Sequence, residues 1–138
     1  MTQKDKELLL KDLCSRLPYG VKGLHRGEKR ELLVMDSFGS YQVNEYDAWF
    51  DLNSVIFKPY LFPLSSMTDE EQEELKQEHS KDEMLYIECL ERTAKGDNSM
   101  RGKVITHYAM DWCNKNHFDY RGLIEKGLAI DATGLDIY

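Results

Sequence analysis

The chain has 138 residues, a mass of 16.2 kDa, a net charge of −7 and a pI near 5.1. A chain of this length can bury the core of one domain without metals or disulfides. Its longest aliphatic run, Leu32–Met35, excludes a membrane-spanning helix, and its polar N-terminus argues against a secretory signal. Cys14, Cys89 and Cys113 are too widely spaced for a disulfide framework and suit a reducing compartment. We therefore expect a single cytoplasmic domain over residues 1–138.

The net charge lies in the second half of the chain. Residues 1–67 carry 9 basic and 9 acidic side chains, whereas residues 68–138 carry 9 basic and 16 acidic ones. Ten of these carboxylates fall within residues 68–91. Such a strip is typical of a solvated helix whose first-turn acids complement the helix dipole. It would also suit a mimic of a phosphate backbone that docks on a DNA-binding protein.

The first predicted element is a helix over residues 3–16 with Thr2 as its N-cap. Its apolar stripe comprises Leu9, Leu10, Leu13, Cys14 and Leu17. We expect Cys14 to be buried on this stripe, and Pro18 to end the helix.

Short segments with strand character follow the helix. They are Val21–His25, Arg30–Asp36, Tyr41–Tyr46 and a fourth candidate, Ser54–Phe57. The first three are separated by glycine-containing connections of hairpin length. This pattern predicts an antiparallel meander over about residues 20–57, which needs a helix packed on one face to be stable.

The remainder of the chain is predicted to be mainly helical. Residues 58–67 are interpreted as an extended crossover that docks on the core. Capping boxes at Thr68–Glu71 and Ser80–Glu83 begin helical segments. The clearest amphipathic helix is 101–115, with a stripe of Ile105, Tyr108, Ala109, Trp112 and Cys113.

A short last helix is predicted between Asp119 as its N-cap and Gly127 at its C-terminal end. The succession of a strand-rich block and a helix-rich block gives the fold class α+β, with the meander packed against an N-terminal helix and C-terminal helices.

The sequence contains no common catalytic, nucleotide-binding or calcium-binding motif. His107 and Cys113 lie about 120° apart on a helix and cannot converge on one ion with His117, so we expect no metal and no cofactor. His107 and Asp111 share a helix face, which is half of a general-base arrangement without a nucleophile. We therefore expect a protein that is not an enzyme, and an unrecognised enzyme around His107, Asp111 and His117 is one alternative.

Two segments carry candidate binding residues. The first is a basic loop within residues 22–30 with four cations against Glu28, namely Lys22, Arg26, Lys29 and Arg30. These side chains suit contact with phosphates or an acidic peptide, or they keep a hairpin edge soluble.

The second segment holds His117, Tyr120 and Arg121, close to Trp112 and Phe118. Aromatic residues beside arginine stack nucleic-acid bases or form hot spots of protein interfaces. The alternative is that the rings close the core at a corner between helices. The nearest acid to Arg121 on the predicted last helix is Glu125, four residues further on.

Two strings carry a resemblance, Lys58–Glu71 (KPYLFPLSSMTDEE) and Asn116–Ala129 (NHFDYRGLIEKGLA). On these strings the chain resembles a group of small uncharacterised proteins from anaerobic gut bacteria and their bacteriophages. The resemblance covers about residues 20–132 and implies a phage or mobile-element context. It implies no activity, cofactor or site residue.

Because the sequence has no motif of the common enzymes or metal proteins, binding to another macromolecule is the class of function that remains. The sequence favours a small cytoplasmic accessory protein that acts through contacts with another protein and has no membrane segment. The alternatives are an acidic nucleic-acid mimic, a nucleic-acid binder and the enzyme around His107. Because the chain is acidic and offers phosphates only the 22–30 loop, we expect direct binding to duplex DNA to be weak.

Overall fold

The computed structural model describes residues 1–77 and 107–138. Its helices are α1 (Gln3–Arg16), α2 (Asp69–Gln77) and α3 (His107–Lys115). Its strands are β1 (Val21–His25), β2 (Glu28–Met35), β3 (Ser40–Val43), β4 (Phe50–Asp51), β5 (Lys58–Pro63), β6 (Phe118–Asp119) and β7 (Ile130–Asp131). The α+β prediction is confirmed, including the N-terminal helix with Thr2 as its N-cap, and Asp5 completes a capping box there.

The sheet is a meander extended by strands from later in the chain. Strands β1 to β4 pair consecutively and antiparallel, and β5 adds to β1. Strand β5 also pairs in parallel with β6 and with β7. The described C-terminal segment is therefore attached to the sheet by backbone hydrogen bonds as well as by helix packing.

The turn between β1 and β2 consists of Arg26 and Gly27, with φ angles of 53° and 78°. Two central residues with positive φ are typical of a type I′ turn, whose twist matches that of the two strands. Before this turn, in the middle of β1, Gly23 lets the backbone of β5 lie close to β1. A Cβ at this position would lie 2.5 Å from the carbonyl oxygen of Lys58.

The prediction of a strand over Ser54–Phe57 is wrong, because the fourth strand is Phe50–Asp51. The Asp51 carboxylate accepts the Asn53 N–H at 2.8 Å, and the Asp51 carbonyl accepts the N–H groups of Ser54 and Val55. This aspartate-centred turn ends the strand before the segment rich in β-branched residues. The predicted crossover is also different, since residues 58–63 pair as strand β5 before a single 3-10 turn at Leu64–Ser66.

The prediction of a last helix between Asp119 and Gly127 is wrong, because Asp119 belongs to strand β6 and the residues after it form a turn. The Asp119 carboxylate accepts the N–H groups of Leu123 and Ile124, four and five residues on, whereas a helix N-cap bonds two or three residues on. Gly127 N–H donates to the Ile124 carbonyl and Leu128 N–H to the Leu123 carbonyl, which is a Schellman closure. The turn therefore starts only after Phe118 and Asp119, which pair with β5 as strand β6.

Helix α1 packs its inner face on the sheet, but that face differs from the predicted one. Leu9 and Leu13 are fully buried, together with Asp12 and Arg16, whereas Cys14 is exposed. The prediction for Cys14 is therefore wrong. A second apolar cluster joins α2, α3 and β6, and it comprises Leu64, Met67, Leu75, Trp112, Cys113, Phe118 and Tyr120.

The Thr68–Glu71 capping box is present, with both reciprocal hydrogen bonds at 3.1 Å. The second box at 80–83 and the predicted helical residues 101–106 lie outside the described residues. In the two described ranges, no helix has the length and apolar character needed to cross a bilayer.

Candidate binding surface

The seven candidate binding residues occupy three different places. Arg26, Lys29 and Arg30 lie on the β1–β2 hairpin; Lys22 and His117 lie against the C-terminal segment; Tyr120 and Arg121 belong to a buried polar network. The structure therefore brings Lys22 of the basic loop close to His117, but it does not bring Arg26, Lys29 and Arg30 together with Tyr120 and Arg121.

The hairpin surface consists of Arg26, Arg30, Tyr46, Trp49 and Phe50. The guanidinium of Arg26 lies 5.0 Å from the centroid of the Phe50 ring, and that of Arg30 lies 5.4 Å from the Tyr46 ring. The two rings contact each other edge to face at 5.8 Å. Trp49 precedes Phe50 and is 56% exposed. Two cations thus lie over aromatic rings, and the exposed Trp49 adjoins one of these rings along the chain.

Arg30 is held on this surface by several contacts. It pairs with Glu28 and with Glu45, the latter at 3.4 Å. A hydrogen bond to Tyr46 is the main cause that raises the pKa of its guanidinium. Lys29 is exposed on the same strand. The acids around Arg30 neutralise part of the charge predicted for the loop, whereas Arg26 has no acidic partner among the described residues.

A buried His25–Tyr41 pair supports the hairpin surface from beneath. The Tyr41 hydroxyl donates to the Val55 carbonyl at 2.7 Å and lies 3.0 Å from His25 Nδ1. Because the hydroxyl proton is used on Val55, His25 Nδ1 must carry the hydrogen that joins the pair. Burial lowers the pKa of His25 and raises that of Tyr41 to about 12, so both groups are neutral at pH 7. The His25 ring contacts Phe50 at 4.4 Å.

Lys22 and His117 meet at the C-terminal residue Tyr138. Lys22 Nζ donates to the Ile137 carbonyl at 3.0 Å, and the His117 ring stacks on Tyr138 at 3.5 Å. The Tyr138 hydroxyl accepts from the Lys22 N–H at 3.1 Å. His117 has a φ of 64°, which places it at the left-handed end of α3. Burial, followed by the charges of Arg16 and Lys22, lowers the pKa of His117 to about 4.

Tyr120 and Arg121 belong to a polar network that links α1 to the segment after α3. Arg121 Nη1 lies 2.9 Å from Asp12 Oδ1 and 2.6 Å from the Tyr120 hydroxyl, and that hydroxyl donates to Asn114 Oδ1 at 3.0 Å. Asp12 is therefore the partner of Arg121, not Glu125 as the helical spacing predicts. A role of Tyr120 and Arg121 in binding stays a prediction, and it would require this network to open.

Arg16 completes the network from the other side of Asp12. Its Nε donates to Asp12 Oδ2 at 2.8 Å, and its Nη2 donates to the Phe118 carbonyl at 2.6 Å. Both Asp12 and Arg16 are fully buried. Burial of this kind is tolerated only when charges are paired and hydrogen-bonded, which these contacts achieve.

The described residues hold no group of three or more histidine, cysteine or acidic side chains arranged around a metal position. Burial raises the pKa of the Cys113 thiol to about 12, which keeps it protonated and unsuited to ligation or attack. The side chain of His107 is outside the description, so its pairing with Asp111 stays a prediction.

Half of the acidic strip lies in the described part of α2. Asp69, Glu70, Glu71, Glu73 and Glu74 belong to it, and Glu71 is used in the capping box. The first-turn acids therefore have the capping and dipole role that the sequence indicates. The other five carboxylates, at 78–91, lie outside the described residues.

Sequence reasoning missed the aromatic part of the hairpin surface. Tyr46, Trp49 and Phe50 fall within five residues, in a connection that also carries Glu45, Asp47 and Asp51. Aromatic residues concentrated in a polar connection are a usable signal of an exposed contact surface. Sequence reasoning also did not select Lys58 as a candidate binding residue. Lys58 lies opposite Leu24 only because β5 pairs with β1.

Comparison of the chain with protein-family models, with curated proteins and with solved structures gives no match.

Proposed function

We propose that this chain is a small cytoplasmic binding protein whose partner is another protein, and that the hairpin surface makes the contact. The observation that carries the proposal is the arrangement of Arg26 over Phe50 and Arg30 over Tyr46 beside the exposed Trp49. Trp, Tyr and Arg are the residues that contribute most often to protein-interface hot spots.

Preorganisation supports the use of these residues in binding. The Phe50 ring contacts both His25 and Tyr46, and ion pairs hold Arg30 in place. Side chains that are already fixed lose little conformational entropy when a partner binds. The hairpin surface is therefore better suited to forming a contact than flexible exposed side chains would be.

Large apolar side chains are exposed at separate places between the start of β2 and β4. Leu33, Phe38 and Trp49 are 54%, 81% and 56% exposed. Phe38 lies in the turn after β2, at the opposite end of that strand from Arg26, whereas Trp49 adjoins Phe50 of the hairpin surface along the chain. The cytoplasmic location and the phage or mobile-element context belong to the same proposal and rest on composition and on the resemblance alone.

The class of partner is tested by capture from native lysate with and without nuclease, using the parent, Trp49→Ala and Leu135→Ala as baits. Leu135 is a matched control because it is 50% exposed and follows β7, which pairs with β5, and three strands separate β5 from β4 in the sheet. We expect the parent and Leu135→Ala to capture the same protein after nuclease treatment. We expect Trp49→Ala not to capture it. Equal capture by all three baits would contradict the proposed surface.

Direct DNA binding is measured in parallel by titrating labelled duplex DNA. We expect binding weaker than micromolar at about 150 mM salt, with any affinity lost between about 50 and 200 mM. Sub-micromolar binding at about 150 mM salt would favour the nucleic-acid binder. Capture of DNA-binding proteins that persists in Trp49→Ala would favour the acidic mimic.

A further inference from the structure

We infer that the groove between the β1–β2 turn and residues 54–58 binds an acidic segment of the protein partner, holding a carboxylate between Arg26 and Lys58. The inference deepens the proposed function and rests on it. The groove has a volume of about 490 Å³, and its lining includes the apolar side chains of Leu24, Val55 and Ile56.

The two cations that line the groove come from different segments of the chain. Arg26 is in the β1–β2 turn, and Lys58 begins β5 opposite Leu24 of β1. Neither forms an ion pair within the described residues, whereas the neighbouring Arg30 pairs with Glu28 and Glu45. Two unneutralised cations that line one groove favour an anionic occupant.

Arg26 has a conformation that its residue type does not favour. Its φ of 53° lies in the left-handed region, where the first position of a type I′ turn is usually Asn, Asp or Gly. An arginine there has a conformational cost that its side chain must offset. The guanidinium lies 5.0 Å from the centroid of the Phe50 ring and has no acidic partner among the described residues, so its N–H donors are available to a carboxylate.

The apolar lining of the groove favours an occupant that has apolar groups as well as a negative charge. Leu24, Val55 and Ile56 are each half-buried, so they offer apolar surface beside the cations. A peptide that alternates aliphatic and acidic side chains satisfies both features, since its aliphatic group covers this surface while its carboxylate reaches Arg26 and Lys58. A free inorganic anion would use only the cations.

The probes are a capped five-residue peptide with two glutamates around a leucine, its twin with glutamines, sodium butyrate and inorganic phosphate. Binding is followed through the backbone amide NMR signals of Gly27 and Ser54, which line the groove. We expect the glutamate peptide to shift both signals and to bind about tenfold more tightly than the glutamine twin. Equal binding of the twins, or butyrate or phosphate binding as tightly as the peptide, would overturn the inference.

Three variants separate the groove from general charge effects. Arg26→Asn removes the cation and places a residue suited to the turn, so the fold is retained. We expect Arg26→Asn and Lys58→Gln each to weaken the glutamate peptide about fivefold or more. Lys29→Gln, which removes an exposed charge from the same hairpin outside the groove lining, should change it less than about twofold. An equal effect of Lys29→Gln would overturn the inference.

The same variants distinguish the two proposals in the capture experiment. A partner that is lost with Trp49→Ala but retained with Lys58→Gln, which lies outside the hairpin surface, would leave the proposed function standing and contradict the acidic-segment inference. Peptide binding that needs Arg26 and Lys58, without any captured protein, would contradict the proposed function instead.

Discussion

Arg121 Nη1 lies 2.9 Å from Asp12 Oδ1, and this ion pair joins the segment after α3 to the middle of α1. The side chain of Asp12 is fully buried and that of Arg121 is 8% exposed. The contact explains why an arginine lies close to the buried Leu123. The sequence indicates an exposed ion pair between Arg121 and Glu125, and the structure has the buried pair with Asp12 in its place.

Arg121→Ala is expected to lower the free energy of unfolding by about 3 kcal/mol, because it removes one partner of a buried charge. The loss lies at the low end for such pairs because Arg16 still contacts Asp12. Urea denaturation measures it, with the exposed Lys126→Ala as a control that should stay within about 0.5 kcal/mol of the parent. If Arg121→Ala matched the control, the side chain would be available for the binding role predicted from sequence.

The two tryptophans provide a matched pair for stability. Trp112 is 4% exposed and stacks on Phe118 at 5.5 Å, whereas Trp49 is 56% exposed. Trp112→Ala should therefore cost about 3–5 kcal/mol, as for other buried aromatic residues. Trp49→Ala should change stability by less than about 0.5 kcal/mol. Similar melting temperatures for the two variants would show that the stack on Phe118 contributes little to the core.

Asp119→Ala should cost about 2 kcal/mol, since the N–H groups of Leu123 and Ile124 each lose an acceptor worth about 1 kcal/mol. Asp131→Ala is the control, because the exposed Asp131 carboxylate accepts only the Thr133 N–H among the described residues. Thermal denaturation of both variants makes the comparison. Equal effects would mean that the turn between Asp119 and Gly127 is stable without its carboxylate.

His117 predicts a pH dependence of stability. Its pKa is about 4 in the folded protein and about 6.5 in an unfolded chain, so the unfolded chain binds more protons between these values. The contribution of His117 is therefore complete above pH 6.5 and is lost as the pH falls toward 4. His117→Asn removes the titration and tolerates the left-handed φ of 64°.

Urea midpoints at about pH 7 and pH 5 test this dependence in the parent and in His117→Asn. The parent should lose more stability than the variant on acidification. Because the pKa of His25 is also lowered and His25 is present in both proteins, the difference between them isolates His117. An identical loss would show that the ring stacked on Tyr138 protonates freely in the folded state.

The local signals in the sequence were sufficient for α1, for the three-strand meander and for the caps at Thr2 and Thr68. Each depends on spacing or on a side chain that bonds to nearby backbone. The pairing of β5 with β1, β6 and β7 was not predictable, because contacts between distant segments leave no local period. The burial of Asp12 and Arg16 was missed for the same reason, since Arg121 and Phe118 supply their distant partners.

The candidate site was predictable only in part. The charges of Arg26 and Arg30 are evident in the sequence, whereas the rings beneath them come from the β3–β4 connection and need the meander to bring them together. On sequence alone, Lys22 groups with these cations. It lies instead against Tyr138, because it is at the start of β1, four residues before Arg26 in the turn, where the C-terminal residues contact the strand.

The central claim is that the hairpin surface contacts a protein partner, and the affinity of the purified partner tests it most directly. Isothermal titration calorimetry compares the parent with Trp49→Ala and with the equally exposed Leu135→Ala. The account predicts that Trp49→Ala weakens binding about thirtyfold, as for a hot spot worth about 2 kcal/mol, while Leu135→Ala stays within about threefold of the parent. Binding that Trp49→Ala leaves unchanged, or that both substitutions weaken equally, would contradict it.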